Sequence, residues 1–349
     1  MKTIFKIIPI LALIFILVPG IARAHDDYTK IIKKEYTVNA DAQVILENKF
    51  GQIHCNNWDQ NLVSIEIRIT VTAYSQEKAN KLLDLVNIVS NGSPSQVEAK
   101  TVFGKEGFSG NSKVSVDYTV NMPATVNLNL TNKFGDVFLN EISGKGNLNI
   151  AYGNMEINKL LNSDNVIDIK FGKGNVQYIT GAMVSLKYSE MKVEYAGSLF
   201  VDSKFSNLNG KKIVSLSISF EGGNIDVENS SAVTGKSKFS DLSISHLDKK
   251  IDLDIQYGNC DVEHIATDFT LISVRNKYGT VSVNVPSGAS YTLDADLKFC
   301  DLDFPEDQAT MTQRIVTNTS KSFRATVGKN PNPEAKVIVR SEFGNVSLE

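Results

Sequence analysis

Apolar and polar residues alternate along most of this chain, and one short version of that alternation recurs through its middle. Val63 to Thr72 alternates strictly, which is the pattern of a strand with one buried face. Between Thr131 and Phe304 the recurring phrase is a lysine, an aromatic residue, a glycine or serine, an aspartate or asparagine, and two apolar residues with a polar one between them. Each copy is therefore predicted to form a strand, a tight corner and a second strand.

The aromatic residue marks each copy, and successive marks are 15 to 21 residues apart. Two copies, at Phe171 and Phe220, are interpreted as carrying two extra residues before the next apolar position. Single copies at Phe50 and Phe343 lie near the ends of the chain. A period near 18 residues is too short for a helical repeat and fits one turn of a β-solenoid. The marks of the central region are Phe134, Tyr152, Phe171, Tyr188, Phe205, Phe220, Phe239, Tyr257, Tyr278 and Phe299.

The predicted fold class is all-β, with a right-handed parallel β-solenoid over residues 126–349 that ends in a C-terminal cap after Pro305. Residues 25–125 are predicted to form a β-rich capping region with one helix at about 76–89, for which Ser75 is the N-cap. Within each copy we expect the aromatic to face inward and the lysine to face water. An antiparallel sandwich or meander, with a hairpin at each phrase, is the alternative.

Residues 1–24 have the composition of a secretory signal peptide. A basic start at Lys2 precedes an apolar run from Ile7 to Val18, and Ala22-Arg23-Ala24 is a small-x-small cleavage site. A retained membrane anchor is the alternative, but the run is shorter than the ~20 residues that a span needs. We therefore predict export to the periplasm or cell surface, with no transmembrane span after signal removal. Removal of this segment and its three basic residues also takes the formal net charge from −3 to −6, which argues against a nucleic-acid partner.

Three cysteines are an odd number for an exported chain, so at least one thiol is free or pairs between molecules. Cys260 occupies an apolar position of the repeat, Cys300 a small-residue position, and Cys55 a second apolar position. All three are predicted to be buried free thiols. The Gly- and Ser-rich stretch from Lys105 to Ser112 is the best candidate for a mobile loop.

No catalytic constellation emerges from the sequence. His25, His54, His246 and His264 are scattered, without partners at metal-ligand spacing. Nucleophile-elbow, phosphate-loop and zinc-protease motifs are absent from the sequence. The protein is therefore predicted to be no enzyme and to need no cofactor and no metal.

Two columns of polar residues would form if the copies stack in register. In one interpretation they are a solvated strip that keeps the strands soluble. In the other they line a polar groove for an extended acidic or carbohydrate polymer, although no column of exposed aromatics for sugar stacking is expected. The corner column is Asp136, Asn154, Asn175, Glu190, Asn207, Asn224, Asp241, Asn259 and Asp301. The candidate ligand-facing lysines are Lys133, Lys170, Lys187, Lys204, Lys238, Lys277 and Lys298, with Lys49 in the same position of the first copy.

The phrase Asn132-Lys133-Phe134-Gly135-Asp136-Val137, the early Phe50-Gly51-Gln52-Ile53 with Asn57-Trp58-Asp59 after it, and the Val-Pro break at 120–123 resemble the bacterial putative-adhesin domain. This is a family of exported β-repeat envelope proteins without established activity, common in Bacteroidetes. The resemblance covers about residues 30–349 and implies a non-enzymatic adhesin or structural envelope protein. It implies no binding residues. A surface glycan or another envelope protein would be the partner. A polysaccharide-binding or polysaccharide-acting protein and an envelope-stress accessory protein are the alternatives.

Overall fold

The computed structural model describes residues 26–104 and 113–349, so the predicted signal peptide and the predicted loop at Lys105–Ser112 lie outside the described residues. The described chain is all-β, with 24 strands in one mixed sheet, one α-helix and one short 3₁₀ helix. It contains no helix with the length and hydropathy that a membrane crossing requires.

Seven strands precede the repeat region, and the one α-helix of the described chain lies between the fourth and the fifth of them in sequence. In chain order they are β1 (Asp26–Thr37), β2 (Gln43–Lys49), β3 (Ile53–Asn57), β4 (Leu62–Ala73), the helix α1 (Gln76–Asp84), β5 (Val86–Ser93), β6 (Gln96–Phe103) and β7 (Val114–Met122).

The strands of the repeat region follow with short corners between them. They are β8 (Asn127–Lys133), β9 (Val137–Ile142), β10 (Gly146–Ala151), β11 (Met155–Leu160), β12 (Asn165–Lys170), β13 (Lys173–Lys187), β14 (Glu190–Lys204), β15 (Asn207–Gln256), β16 (Cys260–Ile265), β17 (Leu271–Lys277) and β18 (Val281–Val283). The last are β19 (Tyr291–Lys298), β20 (Leu302–Asp303), the 3₁₀ helix (Glu306–Gln308), β21 (Ala309–Val316), β22 (Ser320–Val327), β23 (Ala335–Glu342) and β24 (Val346–Ser347).

The helix exists where it was predicted but is shorter. The Ser75 hydroxyl accepts a hydrogen bond from the backbone N–H of Lys78 at 3.3 Å, as an N-cap does. The helix ends at Asp84, and the rest of the predicted segment is β5, which pairs antiparallel with β6. The prediction of a helix to about residue 89 was wrong there, because the β-branched Ile88 and Val89 favour a strand and have a hairpin partner.

Consecutive copies of the repeat pair in parallel with equivalent residues opposite one another. Lys170 lies opposite Lys187, and Lys187 lies opposite Lys204. The strands after the corners pair in the same way, so that Val137 lies opposite Met155. Antiparallel pairs occur near both ends, where β4 pairs with β1 and β7 and where β22 pairs with β19 and β21.

The last copy of the phrase in the chain does not lie at the end of the stack of copies. Strand β23 lies between β17 and β19 and is parallel to both, with Val339 opposite Val274 on one side and Ala295 on the other. Phe343 therefore lies between Tyr278 and Phe299. The copy at Phe299 therefore does not stack directly on the copy at Tyr278, although it follows that copy in the chain.

The apolar positions of the repeat form the core. Val137 and Leu139, which follow the corner by alternate residues, are 0% and 3% exposed. Equivalent residues of the other copies belong to the same cluster, which runs from Val38 to Leu348. Burial of these aliphatic side chains in contact with their counterparts above and below stabilises the stack.

Candidate functional site: an aromatic ladder beside a lysine column

The aromatic residues of the repeat point outward. Their backbone φ angles lie between 51° and 64°, in the left-handed region. The expectation of inward-facing aromatics was wrong because a left-handed residue breaks the period-2 alternation, so that two successive side chains leave the core. We call the set the aromatic ladder; its members are Phe50, Phe134, Tyr152, Phe171, Tyr188, Phe205, Phe239, Tyr257, Tyr278, Phe343 and Phe299.

The rings of the ladder stack on one another. From Phe50 to Phe205, and again from Phe239 to Phe299, neighbouring ring centroids are 4.9–5.4 Å apart with interplanar angles of 1–17°. A stacked pair contributes ~0.5–1.5 kcal/mol beyond its burial, which offsets a left-handed cost of ~1–2 kcal/mol per residue. The column of exposed aromatics that the sequence did not reveal is therefore present.

The residue after each aromatic is small because the corners of neighbouring copies lie very close together there. A Cβ at Gly135 would lie 2.0 Å from the carbonyl oxygen of Gly51 in the neighbouring copy, so only glycine fits there. Where serine takes this position, its hydroxyl closes the corner instead. Ser206 Oγ donates to the carbonyl of Lys204 at 2.9 Å, and Ser240 Oγ to that of Lys238 at 3.0 Å.

The ladder is broken at one copy. Glu221 lies opposite Lys204, and its carbonyl accepts from the N–H of Phe205 at 2.8 Å, so Gly222 occupies the aromatic position. Phe220 is buried at 3% exposure. The placement of Phe220 in the aromatic column was wrong, because an aromatic in the preceding buried position resembles the mark.

The copy at Phe171 also differs from its prediction, because it has the same length as its neighbours. Lys173 lies opposite Glu190 and Gly174 opposite Met191, so no extra residues are inserted. Asn175 was therefore assigned to the corner column wrongly, since Lys173 holds that position. The Gly174 position looked irregular only because a glycine replaces the usual buried aliphatic.

The candidate lysines form a column beside the ladder, interrupted by other residues. Lys133, Lys187, Lys204, Lys238, Lys277 and Lys298 are exposed, and Lys170 is half-buried. Ala151, Glu221, Gln256 and Glu342 occupy the same column in the remaining copies.

Three of the candidate lysines pair with carboxylates. Lys204 Nζ lies 3.5 Å from Glu221, and Lys277 Nζ lies 3.3 Å from Glu342. Lys170 Nζ lies 2.7 Å from Asp168. Lys238 instead lies over the ring of Phe239, with Nζ 5.1 Å from the centroid.

The lysine column forms one side of a trough in the C-terminal half of the molecule. Two cavities of about 380 and 370 Å³ share Asp254 and Gln256 in their linings. The first also contacts Lys204 and Lys238, and the second Lys277 and Lys298. The structure thus places four of the seven candidate lysines along one depression, and leaves Lys133, Lys170 and Lys187 outside it.

Side chains of the Asp and Asn column accept hydrogen bonds from the backbone of the next copy. Asp136 Oδ1 accepts from the backbone N–H of Asn154 at 2.7 Å, and Asn207 Oδ1 from that of Asn224 at 2.9 Å. Asp241 Oδ1 accepts from the N–H of Asn259 at 2.9 Å. These side chains satisfy corner N–H groups of the next copy, which reduces their capacity for ligands.

The cysteines are free, as predicted, but differ in burial. Cys55 and Cys260 are buried, and burial raises the pKa of each thiol to about 12. Cys300 is only half-buried, so its predicted full burial was wrong, and its Sγ donates to the Ser341 carbonyl at 3.5 Å.

Parallel stacking brings together two histidines that are 18 residues apart in the chain. His246 lies opposite His264, with ring centroids 5.3 Å apart in an edge arrangement. His54 instead stacks on Phe138 at 4.4 Å. Across residues 26–104 and 113–349, no three His, Cys, Asp or Glu side chains group closely enough to hold a metal ion.

Comparison with known proteins gives only distant likenesses. No family model matches the chain, and no curated protein matches it. Among solved structures, a putative adhesin from Bacteroides fragilis is 12% identical, with a TM-score of 0.26 and coverage of 92% of this chain and 97% of that chain. A putative cell adhesion protein from Clostridium sporogenes is 10% identical, with a TM-score of 0.19 and coverage of 93% and 98%.

A third solved structure carries a different name. A putative lipid binding protein from Parabacteroides distasonis is 12% identical, with a TM-score of 0.34 and coverage of 72% of this chain and 95% of that chain. The structural neighbours thus include putative adhesins of Bacteroidetes and Clostridium, the kind of protein that the repeat phrase resembles. At these TM-scores the likenesses do not decide what the chain binds.

Proposed function

We propose that this chain is an exported, non-enzymatic binding protein of the cell envelope, an adhesin in the broad sense, located in the periplasm or at the cell surface. The observation that carries the proposal is the in-register parallel pairing of the copies, which turns one short phrase into long columns of similar exposed groups, interrupted at a few copies. A surface that repeats every ~4.8 Å suits a ligand that is itself long and repetitive.

The architecture that we propose is a right-handed parallel solenoid made of the repeat copies, with antiparallel strands near both ends. Residues 25–125 act as the N-terminal cap and residues 126–349 as the repeat region with its own cap. Both caps cover strand edges that would otherwise pair with other chains.

A polysaccharide-binding protein is the second candidate, and the trough favours it. An extended acidic glycan would lie along Lys204, Lys238, Lys277 and Lys298. Lys204 and Lys277 are paired with Glu221 and Glu342, so Lys238 and Lys298 supply the charge that is not already paired in the described chain. The two linings together hold seven Lys or Arg and five Asp or Glu side chains, a net charge of +2. Of the stacked rings beside the trough, Tyr257, Tyr278 and Phe343 present mainly their edges, because each gives both faces to its neighbours. Charge along the trough is therefore the main attraction in this proposal.

The test is binding to a glycan array and to envelope extracts, with charge-reversed variants. Lys238→Glu combined with Lys298→Glu reverses two charges within the trough. Lys133→Glu combined with Lys187→Glu makes the same change in the same column outside it. If the trough is the site, the first double variant weakens binding to an acidic glycan by about tenfold or more and the second leaves it nearly unchanged.

Equal loss in both double variants would mean that only net charge matters, and the trough would be rejected as the site. Binding to no glycan, with capture of one envelope protein that both double variants retain, would favour the adhesin with a protein partner. Circular dichroism and thermal unfolding of both double variants establish that the fold is intact. Fractionation of cells that carry a tagged chain tests the proposed location.

A further inference from the structure

The break in the aromatic ladder differs from every other position along it. A ring inside a continuous stack is covered on both faces, as Phe171 is by Tyr152 and Tyr188. At the break, Phe205 and Phe239 each stack on one neighbour only among the described residues, on Tyr188 and Tyr257 respectively. Gly222, which occupies the position between them, has no side chain. Each of the two rings therefore has one face without a ring partner in the described chain.

The width of the opening is set by the repeat. Gly222 is 17 residues from both Phe205 and Phe239, the same step that separates Phe171, Tyr188 and Phe205. Neighbouring parallel strands lie ~4.8 Å apart, so two steps leave roughly 10 Å between the two open rings. Everywhere else a space of this size holds one phenyl or phenol ring at 4.9–5.4 Å from each neighbour.

The Phe205 ring extends over part of the opening. The interplanar angles of the Tyr188–Phe205 and Phe239–Tyr257 pairs, 15° and 17°, match the 16° of Phe50–Phe134 in the continuous ladder. A Cβ at position 222 would come within 2.8 Å of Phe205 Cδ1, so the Phe205 ring leans over the glycine. A ring bound in the opening would therefore require the exposed Phe205 side chain to shift toward Tyr188.

The charges beside the opening are unequal. In the lysine column it is flanked by Lys204, Glu221 and Lys238, and the first two form an ion pair at 3.5 Å. Lys238 has no carboxylate within 4 Å in the described chain, and its Nζ lies over the Phe239 ring. Asp202 and Asp254 line the same cavity two residues farther from the corner. Lys236 lines the cavity at the same distance along the strand as Asp202 and Asp254. Of the three charged side chains of the lysine column at the opening, Lys238 is the one without an ion pair in the described chain.

From this geometry we propose that the opening between Phe205 and Phe239, above Gly222, is a binding slot for one planar aromatic ring that carries an anionic substituent. The ring completes the stack, and the substituent meets the Lys238 ammonium. A small aromatic acid and a phenol side chain beside an acidic residue in a peptide share this chemistry. The slot and the proposed polymer-binding trough share Lys238, but the ring-binding position above Gly222 does not depend on the trough.

The slot is tested by titration of the full mature chain, followed by the NMR signals of the probe. The probes are 4-hydroxyphenylacetate, the peptide Asp-Tyr-Asp, the cationic tyramine, and the non-planar cyclohexylacetate. We expect saturable binding of one of the first two at one site per chain, with upfield ring-current shifts. Tyramine and cyclohexylacetate should bind about tenfold more weakly or worse. Preference for the free acid or for the peptide identifies the source of the ring.

The decisive variant is Gly222→Phe, which fills the slot with the chain's own ring. The φ of Gly222 is 77°, against 51–64° for the aromatics at the other corners. A Cβ at 222 would come within 2.8 Å of the exposed Phe205 ring, so folding of the variant requires that ring to shift. Binding of the preferred probe should fall by more than about tenfold while acidic-glycan binding along the trough is retained. Probe binding in this variant tests the slot, and glycan binding in the same variant tests the proposed trough, so the failure of one can be told from the failure of the other.

If Gly222→Phe does not fold, Phe205→Leu removes one face of the slot, and Phe134→Leu makes the same change where the ladder is continuous. Loss of probe binding in Phe205→Leu alone supports the slot. The proposal is overturned by equal binding in Gly222→Phe and the wild type, by equal loss in the two leucine variants, or by binding of cyclohexylacetate as tight as that of 4-hydroxyphenylacetate.

Discussion

A single backbone angle at the corner residue determines what this molecule presents to solvent. Because the aromatic residue is left-handed, it leaves the alternation of the strand and joins the preceding lysine on the outside. The residue after it must then pass very close to the corner of the neighbouring copy. The rings are exposed for this geometric reason, and stacking is what makes their exposure tolerable.

The close approach at the corners gives a direct stability prediction. Gly135→Ala places a Cβ 2.0 Å from the Gly51 carbonyl oxygen, and neither the Cβ, fixed to its Cα, nor the backbone oxygen can move without a shift of the main chain. We expect a loss of at least ~2 kcal/mol in the free energy of unfolding. Gly288→Ala is the matched control, since nothing lies within 4 Å of a Cβ there. Urea denaturation of both variants measures the difference, and equal stabilities would refute the crowded corner.

Thiol reactivity should divide the three cysteines. The pKa of Cys55 and of Cys260 is raised to about 12 by burial, so at pH 8 both remain protonated as well as inaccessible. Cys300 is half-buried. We expect a thiol reagent at pH 8 to modify one cysteine in the folded protein and three after unfolding. Mass spectrometry of the labelled peptides should find Cys300, and rapid labelling of Cys260 in the folded state would contradict the described burial.

At the scale of the element, the ladder combines a strained backbone with favourable stacking, and substitution can separate the two. Phe171→Ala loses two stacked partners and keeps the left-handed strain, which should cost ~1–3 kcal/mol. Phe171→Gly loses the same contacts but relieves ~1–2 kcal/mol of strain, against ~0.5–1 kcal/mol of added chain entropy.

The glycine variant should therefore be the more stable of the two, which reverses the usual order in a strand. Thermal and urea unfolding of both variants provide the measurement. Each variant is the other's control, because the two substitutions share one site and one set of lost contacts. An alanine variant clearly more stable than the glycine variant would mean that the left-handed angle carries little strain.

The element scale also explains which predictions from sequence succeeded. Alternation after the corner identified the buried positions, such as Val137 and Leu139, because side-chain period alone decides them. The same reasoning placed Phe134 inside, because the sign of φ leaves no trace in an apolar pattern. It also took Phe220 for the mark of its copy, although the 17-residue step and the Gly222-Gly223 pair indicate the corner two residues later.

Near the C-terminal end, four charged side chains from three strands form a cluster. Asp294 and Asp296 of β19 face Arg324 of β22 and Arg340 of β23, with contacts of 2.7–3.4 Å. Partial burial raises the pKa of Asp296, but hydrogen bonds from Arg324 and Ser322 and the charges of both arginines outweigh it, so that the pKa is lowered.

A lowered carboxyl pKa stabilises the folded state above the ordinary value of 3.8, and this contribution is lost as the pH falls below it. Asp296→Asn should therefore lower the unfolding temperature at pH 7, by an amount equivalent to less than ~1 kcal/mol because the group is partly exposed. The difference from the wild type should shrink toward zero in acid. The control is Asp303→Asn, an exposed site without an ion pair in the described chain. A pH-independent difference would show that the cluster acts by packing.

At the scale of the whole molecule, the order of the copies in space could not have been read from the repeat. The phrase at Phe343 is as regular as the others, and nothing in it says that it lies between Tyr278 and Phe299. The position of Phe343 follows from the pairing of β23 with β17 and β19, whose paired residues are about 65 and 45 residues away in the chain. Such long-range closure is slow to form and links the far end of the chain to the stack.

The inserted strand should therefore control the stability of the whole C-terminal third. A proline at Ile338 removes a backbone donor from a strand with partners on both sides, and should cost ~3 kcal/mol or more. Gln313→Pro makes the same change at the irregularity in β21, whose single partner is β22, and should cost below ~1 kcal/mol. In the first variant, limited proteolysis should begin between Val285 and the C-terminus while the copies from Phe134 to Phe239 stay protected. If both variants were digested alike, β23 would be an appended strand, and the stack would close without it.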